Sequence, residues 1–221
     1  CNSGTHTLNK LANHANCDLR LYELTPPRQT ANDDILKSKS PSQTEENLCR
    51  ALAYGMISVE PEIDLFTTCA IGAGTDAAAK AIIIAHHDGT ENSPTEDIQI
   101  SGLLSLNKDA KGLECLKAIG GPEISAICGA ILAARLGRIP VLVEGLSGYA
   151  ALLILRHHCP HIVEHCAITG RFDEKFSPLE EGMTRLPAPF ETATEAGASL
   201  ACMIALLRNE VALDGTNPYS K

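Results

Sequence analysis

The 221-residue chain contains no tryptophan, and only 4% of its residues are aromatic. Its core must therefore be built from Ala, Ile, Leu and Val, which suits helices packed closely against a small sheet. Basic residues are also scarce: 18 Lys and Arg stand against 27 Asp and Glu, a formal net charge of -9. A surface this acidic repels phosphate backbones, so nucleic acid is excluded as the expected partner. Small anions are not excluded, because backbone N–H groups can hold them locally. No apolar run approaches the ~20 residues of a membrane span. The longest, around residues 77–85 and 141–155, are broken by Gly or charge, and no charged-then-apolar leader opens the chain.

What is present describes a globular protein. Apolar residues make up 44% of the chain, and mean hydropathy is +0.00. That is enough to bury a core. The nine cysteines are odd in number and scattered, which predicts free thiols in a reducing cytoplasm and not a disulfide framework. One domain is expected over residues 1–221, with the natural protein extending upstream of Cys1.

Helical spacing at residues 5–15 is followed by alternation over Leu19-Arg20-Leu21-Tyr22-Glu23-Leu24, which predicts a strand. Residues 25–43 are polar and read as a long loop. Thr44 is a plausible N-cap for a helix to about Ser58. A short apolar strand at 65–71 leads through Gly72-Ala73-Gly74-Thr75 into an Ala-rich helix at 76–86. Residues 87–102 read as a polar loop, and residues 103–119 as helical pieces interrupted by Gly112. Gly120-Gly121-Pro122-Glu123 starts a helix to about Leu136, with Pro near the first turn, where it is tolerated. Ile139-Pro140-Val141-Leu142-Val143-Glu144 is a continuous apolar strand of the buried parallel type. A turn at 145–148, a helix at 149–158, a strand at 162–168, irregular chain at 169–189 and a last helix at 194–209 complete the pattern. Alternating strands and helices predict an α/β fold: a doubly wound, mostly parallel, Rossmann-like sheet with helices on both faces. Ligands in such sheets sit at the carboxyl ends of the strands, where residues 68–76, 144–148 and 169–171 fall.

Three segments can carry chemistry. Gly72, Ala73, Gly74 and Thr75 join a strand to a helix, so small residues admit a ligand and the helix start offers N–H groups to an anion. No Gly-Lys-Ser/Thr follows, so this is not a P-loop, and a plain tight turn explains it equally. Lys117, Gly120, Gly121 and Glu123 form a second cluster, in which the glycines again expose N–H groups and Lys117 is a nearby cation, although a flexible turn with a solvated Lys accounts for them too. Glu144, followed by Ser147, ends the strongest strand. It can take a proton or hold a ribose hydroxyl, or it can simply cap the next helix. Cys159, His161, His165 and Cys166 are zinc-type ligands, but Pro160 interrupts them and their spacing matches no standard finger. Histidine at a helix C-terminus, favoured by the dipole, is the simpler account, and it serves His86-His87-Asp88 as well.

In this order the segments resemble the nicotinate-nucleotide:dimethylbenzimidazole phosphoribosyltransferase family. The clearest match runs from Ile119-Gly120-Gly121-Pro122-Glu123-Ile124-Ser125-Ala126 to Ile139-Pro140-Val141-Leu142-Val143-Glu144-Gly145. The family has Gly-Gly-(apolar)-Glu-Ile-Ala and then Ile-Pro-Val-Leu-(apolar)-Asp-Gly. Weaker matches are Leu8-Asn9-Lys10-Leu11-Ala12, Gly55-Met56 and Glu195-Ala196-Gly197-Ala198. The resemblance implies transfer of ribose phosphate from nicotinate mononucleotide to a benzimidazole, in a cytoplasmic homodimer without metal or redox cofactor. Substrates would be a nucleotide and an aromatic base. By resemblance Gly72, Ala73, Gly74, Thr75, Lys117, Gly120 and Gly121 serve phosphate and ribose, with Gly170 and Arg171 beside them.

The sequence also departs from the family. The Glu and Asn of its Glu-(apolar)-Gly-Ile-Gly-Asn-Thr-Thr stretch become Thr68 and Ala73. The catalytic Glu of its Gly-Glu-Gly-Thr-Gly-Ala stretch falls on Thr194, and Glu195 is the nearest carboxylate and the candidate catalytic base. The family's upstream portion, which helps to form the azole pocket, has no counterpart here. Three readings follow: an active transferase, with dimethylbenzimidazole or a related azole or purine acceptor; a catalytically degenerate relative that binds nucleotide or a partner; or a structural α/β domain.

Overall fold

The computed structural model describes residues 7–24, 41–70, 72, 74–87, 98–107, 109–170, 182–186 and 197–213. Among the described residues four parallel strands form the sheet: β1 (Phe66–Thr68), β2 (Val141–Glu144), β3 (Cys166–Thr169) and β4 (Thr184–Arg185), in the order β1-β2-β3-β4. The register sets Phe66 beside Val141, Val141 beside Cys166 and Ala167 beside Thr184. The fold is thus α/β with a parallel sheet, as the sequence pattern implies.

Alternation along the strands decides which helices cover which face. Val141, Val143, Cys166 and Ile168 point into the main core. There they meet α3 (Thr75–His86), α6 (Pro122–Gly137) and α7 (Gly145–His158). Leu142 and Ala167 point to the other face, where Leu200 and Met203 of α8 (Ala198–Leu213) cover them. Helices therefore lie on both faces. Among the described strands the order never reverses, and the returning C-terminal helix packs on the second face.

The remaining helices are α1 (Thr7–His14), α2 (Glu45–Ile57), α4 (Ile98–Leu106) and α5 (Gly112–Cys115). A π-helical turn, Leu116–Gly120, follows α5. Thr44 caps α2 as predicted, its side chain accepting the Asn47 amide at 3.2 Å. Glu45 and Glu46 in the first turn suit the helix dipole. Helices α2 and α6 approach backbone to backbone. A Cβ on Gly55 would lie 1.8 Å from the Ala126 carbonyl oxygen, and one on Gly129 would lie 2.0 Å from that of Leu52. Gly112 opens α5. Its amide donates to His86 Nε2 at 3.1 Å, and the Leu113 amide donates to His158 Nε2 at 3.1 Å.

Several sequence expectations are corrected. Residues 19–24 form no strand, and Leu21 and Tyr22 are exposed. Alternation without a neighbouring strand to pair with gives no sheet. The turn expected at 145–148 is already the start of α7, which follows β2 without a connection. The strand expected at 162–168 divides into a 3₁₀ turn, Pro160–Val163, and β3. Strand β4 falls in chain expected to be irregular, and α4 begins inside the loop expected at 87–102. Most of the loop expected at 25–43 lies outside the described residues.

Candidate functional site

Each βα or αβ unit in this topology turns a helix N-terminus toward the carboxyl edge of the sheet. Helices α3 and α7 follow strands β1 and β2, and α6 runs back to the start of β2. The starts of α3 and α6 meet around one carboxylate. A Cβ on Gly72 would lie 3.0 Å from Glu123 Oε1, and one on Gly121 would lie 3.3 Å from Glu123 Oε2. Glu123, in the first turn of α6, thus sits between the two glycine turns. Its position suits the helix dipole. Gly121 has φ of +85°, which L side chains rarely adopt. On the other side the Gly72 carbonyl accepts the Thr75 amide at 3.3 Å, and Gly74 is left-handed at φ +81°.

A second group forms where β2 and β3 end. Gly170, at φ +112°, abuts the start of α7, and a Cβ there would lie 3.1 Å from the Gly145 nitrogen. Glu144 turns to the α8 face and its Oε2 accepts the Gly197 amide. The Cys69 thiol, just past β1, lies 3.4 Å from a Cβ built on Gly197. Burial, reinforced by the Glu144 charge, pushes that thiol up to about 12. At neutral pH it is protonated and is no nucleophile.

The other sequence-predicted residues divide. Thr75 and Ser147 are buried in the first turns of α3 and α7. Gly120 faces the core, and a Cβ there would lie 2.4 Å from Leu116 Cδ1. Its lack of a side chain serves packing. Lys117 is half-buried, with Nζ 3.9 Å from Glu45 Oε2 on α2. Ala73, Arg171 and Glu195 lie outside the described residues. In the Cys159–Cys166 stretch His161 Nδ1 bonds Glu164 Oε1 at 2.6 Å, and His165 Nε2 bonds the Ile131 carbonyl at 3.2 Å while Nδ1 lies 3.7 Å from Cys166 Sγ. Among the described residues no group of three or more His, Cys, Asp or Glu is disposed to hold a metal ion, and no helix is long and apolar enough to cross a membrane.

Sequence reasoning placed Glu123 in the Gly120-Gly121 cluster but gave it no role of its own. The signal was there, because a carboxylate two residues after Gly-Gly must open the helix whose N-terminus faces the strand ends. Gly197 was visible only as part of a weak match.

The sequence model of a phosphoribosyltransferase family matches residues 1–179. The chain belongs to this family. Among curated relatives, the nicotinate-nucleotide–dimethylbenzimidazole phosphoribosyltransferase of Rhodobacter capsulatus is 30% identical over 178 residues, covering 75% of this chain and 52% of its own length. The protein of the same name from Cereibacter sphaeroides ATCC 17023 is 33% identical over 183 residues, covering 76% and 53%. The chain thus spans about half the length of the curated relatives it matches. A crystal structure of the Thermus thermophilus enzyme of that name superposes with a TM-score of 0.66 at 20% identity, covering 94% of this chain and 71% of that one. At that identity the likeness speaks for the fold. The part of the chain matched by the family includes both glycine turns and the Glu123 carboxylate between them.

Proposed function

We propose that this chain transfers the phosphoribosyl group of nicotinate mononucleotide to dimethylbenzimidazole or a related azole or purine base. The observation that carries this reading is the Glu123 carboxylate set between Gly72 and Gly121, where the starts of two helices converge. Helix-start amides suit the ribose phosphate. A carboxylate beside them suits the positive charge that develops on the ribose as its bond to nicotinate breaks.

In the proposed step the C1′–N bond to nicotinate breaks and nicotinate leaves with the electron pair. The azole nitrogen forms the new bond to C1′, and its N–H proton passes to a carboxylate. Glu195 is the proposed base, and Ala73, Gly74, Thr75, Lys117, Gly120, Gly170 and Arg171 remain candidates for phosphate and ribose. Glu144 and Ser147 complete the candidate set. The transfer is redox-neutral and, as written, calls on no cofactor. The same reading takes the protein to be a cytoplasmic homodimer.

A second reading is favoured by Thr68, Ala73 and Thr194, which stand where the family carries Glu, Asn and its catalytic Glu: a relative that binds nucleotide without turnover. A general base supplies ~10²–10⁴ in rate, so its loss would nearly silence the chemistry while leaving the amide cradle. Thermal shift with nicotinate mononucleotide and nicotinate release in the presence of dimethylbenzimidazole separate the two. A stabilising shift with release supports transfer, and a shift without release supports binding alone. No shift at millimolar nucleotide overturns both. If release occurs, Glu195→Gln should cut it by about 10²-fold or more. Unchanged release in that variant would remove Glu195 as the base.

A further inference from the structure

The break between the π-helical turn and α6 places Gly121 and Glu123, and it is fastened from a distant part of the chain. A helix end leaves its last carbonyls without intrahelical partners, and buried carbonyls must find others. Here the two residues before Thr44 take them. The Ser42 amide donates to the Ala118 carbonyl at 3.0 Å, and the Gln43 amide donates to that of Lys117 at 3.3 Å. Ser42 Oγ adds a second bond to the Lys117 carbonyl at 3.0 Å. Gln43 reaches across the break. Its Nε2 lies 3.0 Å from the Leu116 carbonyl, before the break, and 2.8 Å from Ser125 Oγ and 3.4 Å from the Gly121 carbonyl, after it. Ser125 Oγ in turn donates to the Gly121 carbonyl at 2.8 Å.

Gln43 is only 6% exposed and Ser125 is fully buried, so this linkage is shielded from water. The acceptor end of the amide, Gln43 Oε1, is buried with no partner among the described residues. A buried unpaired acceptor is costly. An apolar side chain would avoid that cost but would strip the Leu116 and Gly121 carbonyls of a donor.

We propose that Gln43 is a positioning residue. By bonding on both sides of the break it fixes the angle at which α6 leaves the π-helical turn, and so holds the Glu123 carboxylate opposite Gly72. The inference rests on the proposed transfer for its catalytic consequence. The structural part stands on the hydrogen bonds alone. π-Helical turns concentrate at functional sites, and a displacement of about 1 Å in a positioning element costs ~10²-fold in rate.

The test compares Gln43→Met, which keeps length and removes the donors, with Leu48→Ala, which opens the core beneath the first turns of α2 and removes none of the hydrogen bonds at the break. Amide hydrogen exchange and nicotinate-release kinetics are read on both. Gln43→Met is expected to speed exchange at residues 120–125 by about tenfold or more and to lower kcat by ~10²-fold, with KM changed far less. Leu48→Ala is expected to lower the melting temperature with kcat per folded molecule unchanged. Equal kcat losses in the two variants, or unchanged exchange at 120–125 in Gln43→Met, would overturn the proposal. If Gln43→Met does not fold, Ser125→Ala removes two bonds of the linkage, the one it accepts from Gln43 Nε2 and the one it donates to the Gly121 carbonyl, and carries the same two readouts with the same criteria. If the wild-type chain neither binds nor turns over nucleotide, the transfer reading fails. The exchange measurement still decides whether Gln43 sets the turn.

Discussion

The carboxylate of Glu144, at the end of β2, accepts the backbone amide of Gly197 at the start of α8. One side chain thus ties the central strand to the helix that covers the second face of the sheet. Glu144→Ala should free the first turn of α8 and loosen Leu200 and Met203 from Leu142. Loss of a hydrogen bond to a charged group costs about 1.5–3 kcal/mol, so urea unfolding should shift by that much. Glu144→Gln keeps an acceptor oxygen and should lose less. Equal stability of Glu144→Ala and wild type would show that the clamp contributes nothing.

Alanine in place of Gly55 or Gly129 should be severely destabilising. Within a helix Gly→Ala normally gains ~0.5–1 kcal/mol. Here the new methyl would fall 1.8 Å or 2.0 Å from a backbone oxygen of the facing helix. Neither backbone can yield without separating α2 from α6, so each variant should lose ~3 kcal/mol or more, or fail to fold. Thermal unfolding of the two single variants checks this.

Thiol accessibility should follow burial. Burial pushes the Cys69, Cys115 and Cys166 thiols up to about 12, and that of Cys128 further in the same direction. Cys49 is exposed on α2. In the folded protein a disulfide reagent at pH 8 should label Cys49 rapidly and these four only on unfolding. Mass mapping of the labelled peptides reads the result, and fast labelling of Cys115 or Cys128 would contradict the core described here.

Stability should fall on mild acidification. Burial holds the His165 imidazole below its ordinary value of 6.5. Below that pH the unfolded chain binds a proton at this site that the folded chain does not, so stability decreases as pH falls through 6.5 and below. The melting temperature of the wild type should drop between pH 7 and pH 5. In His165→Gln, which keeps a donor for the Ile131 carbonyl, the drop should be smaller.

Much of this fold was legible along the chain because its signals are local. Thr44 caps α2, Pro122 opens α6, and the continuous apolar run at 141–144 is the central parallel strand. The Gly-Gly-Pro-Glu stretch likewise gave away the break at which α6 begins. The strand expected at 19–24 shows the limit of such signals, since alternation describes a surface that suits pairing but supplies no neighbour. Strand β4 shows the converse: two residues with no pattern become a strand because β3 presents an open edge to them.

The sequence alone determined that the chain has an Ala-, Ile-, Leu- and Val-rich core, parallel α/β units and glycine turns at the strand ends. Only the tertiary structure decided that Glu123 stands between Gly72 and Gly121, that Gln43 spans the break before α6, and that Glu144 holds Gly197. Each of these contacts joins segments tens of residues apart. Such pairings are set by how helices and strands dock, through steric fit and the need of buried polar groups for partners, and no local pattern records them.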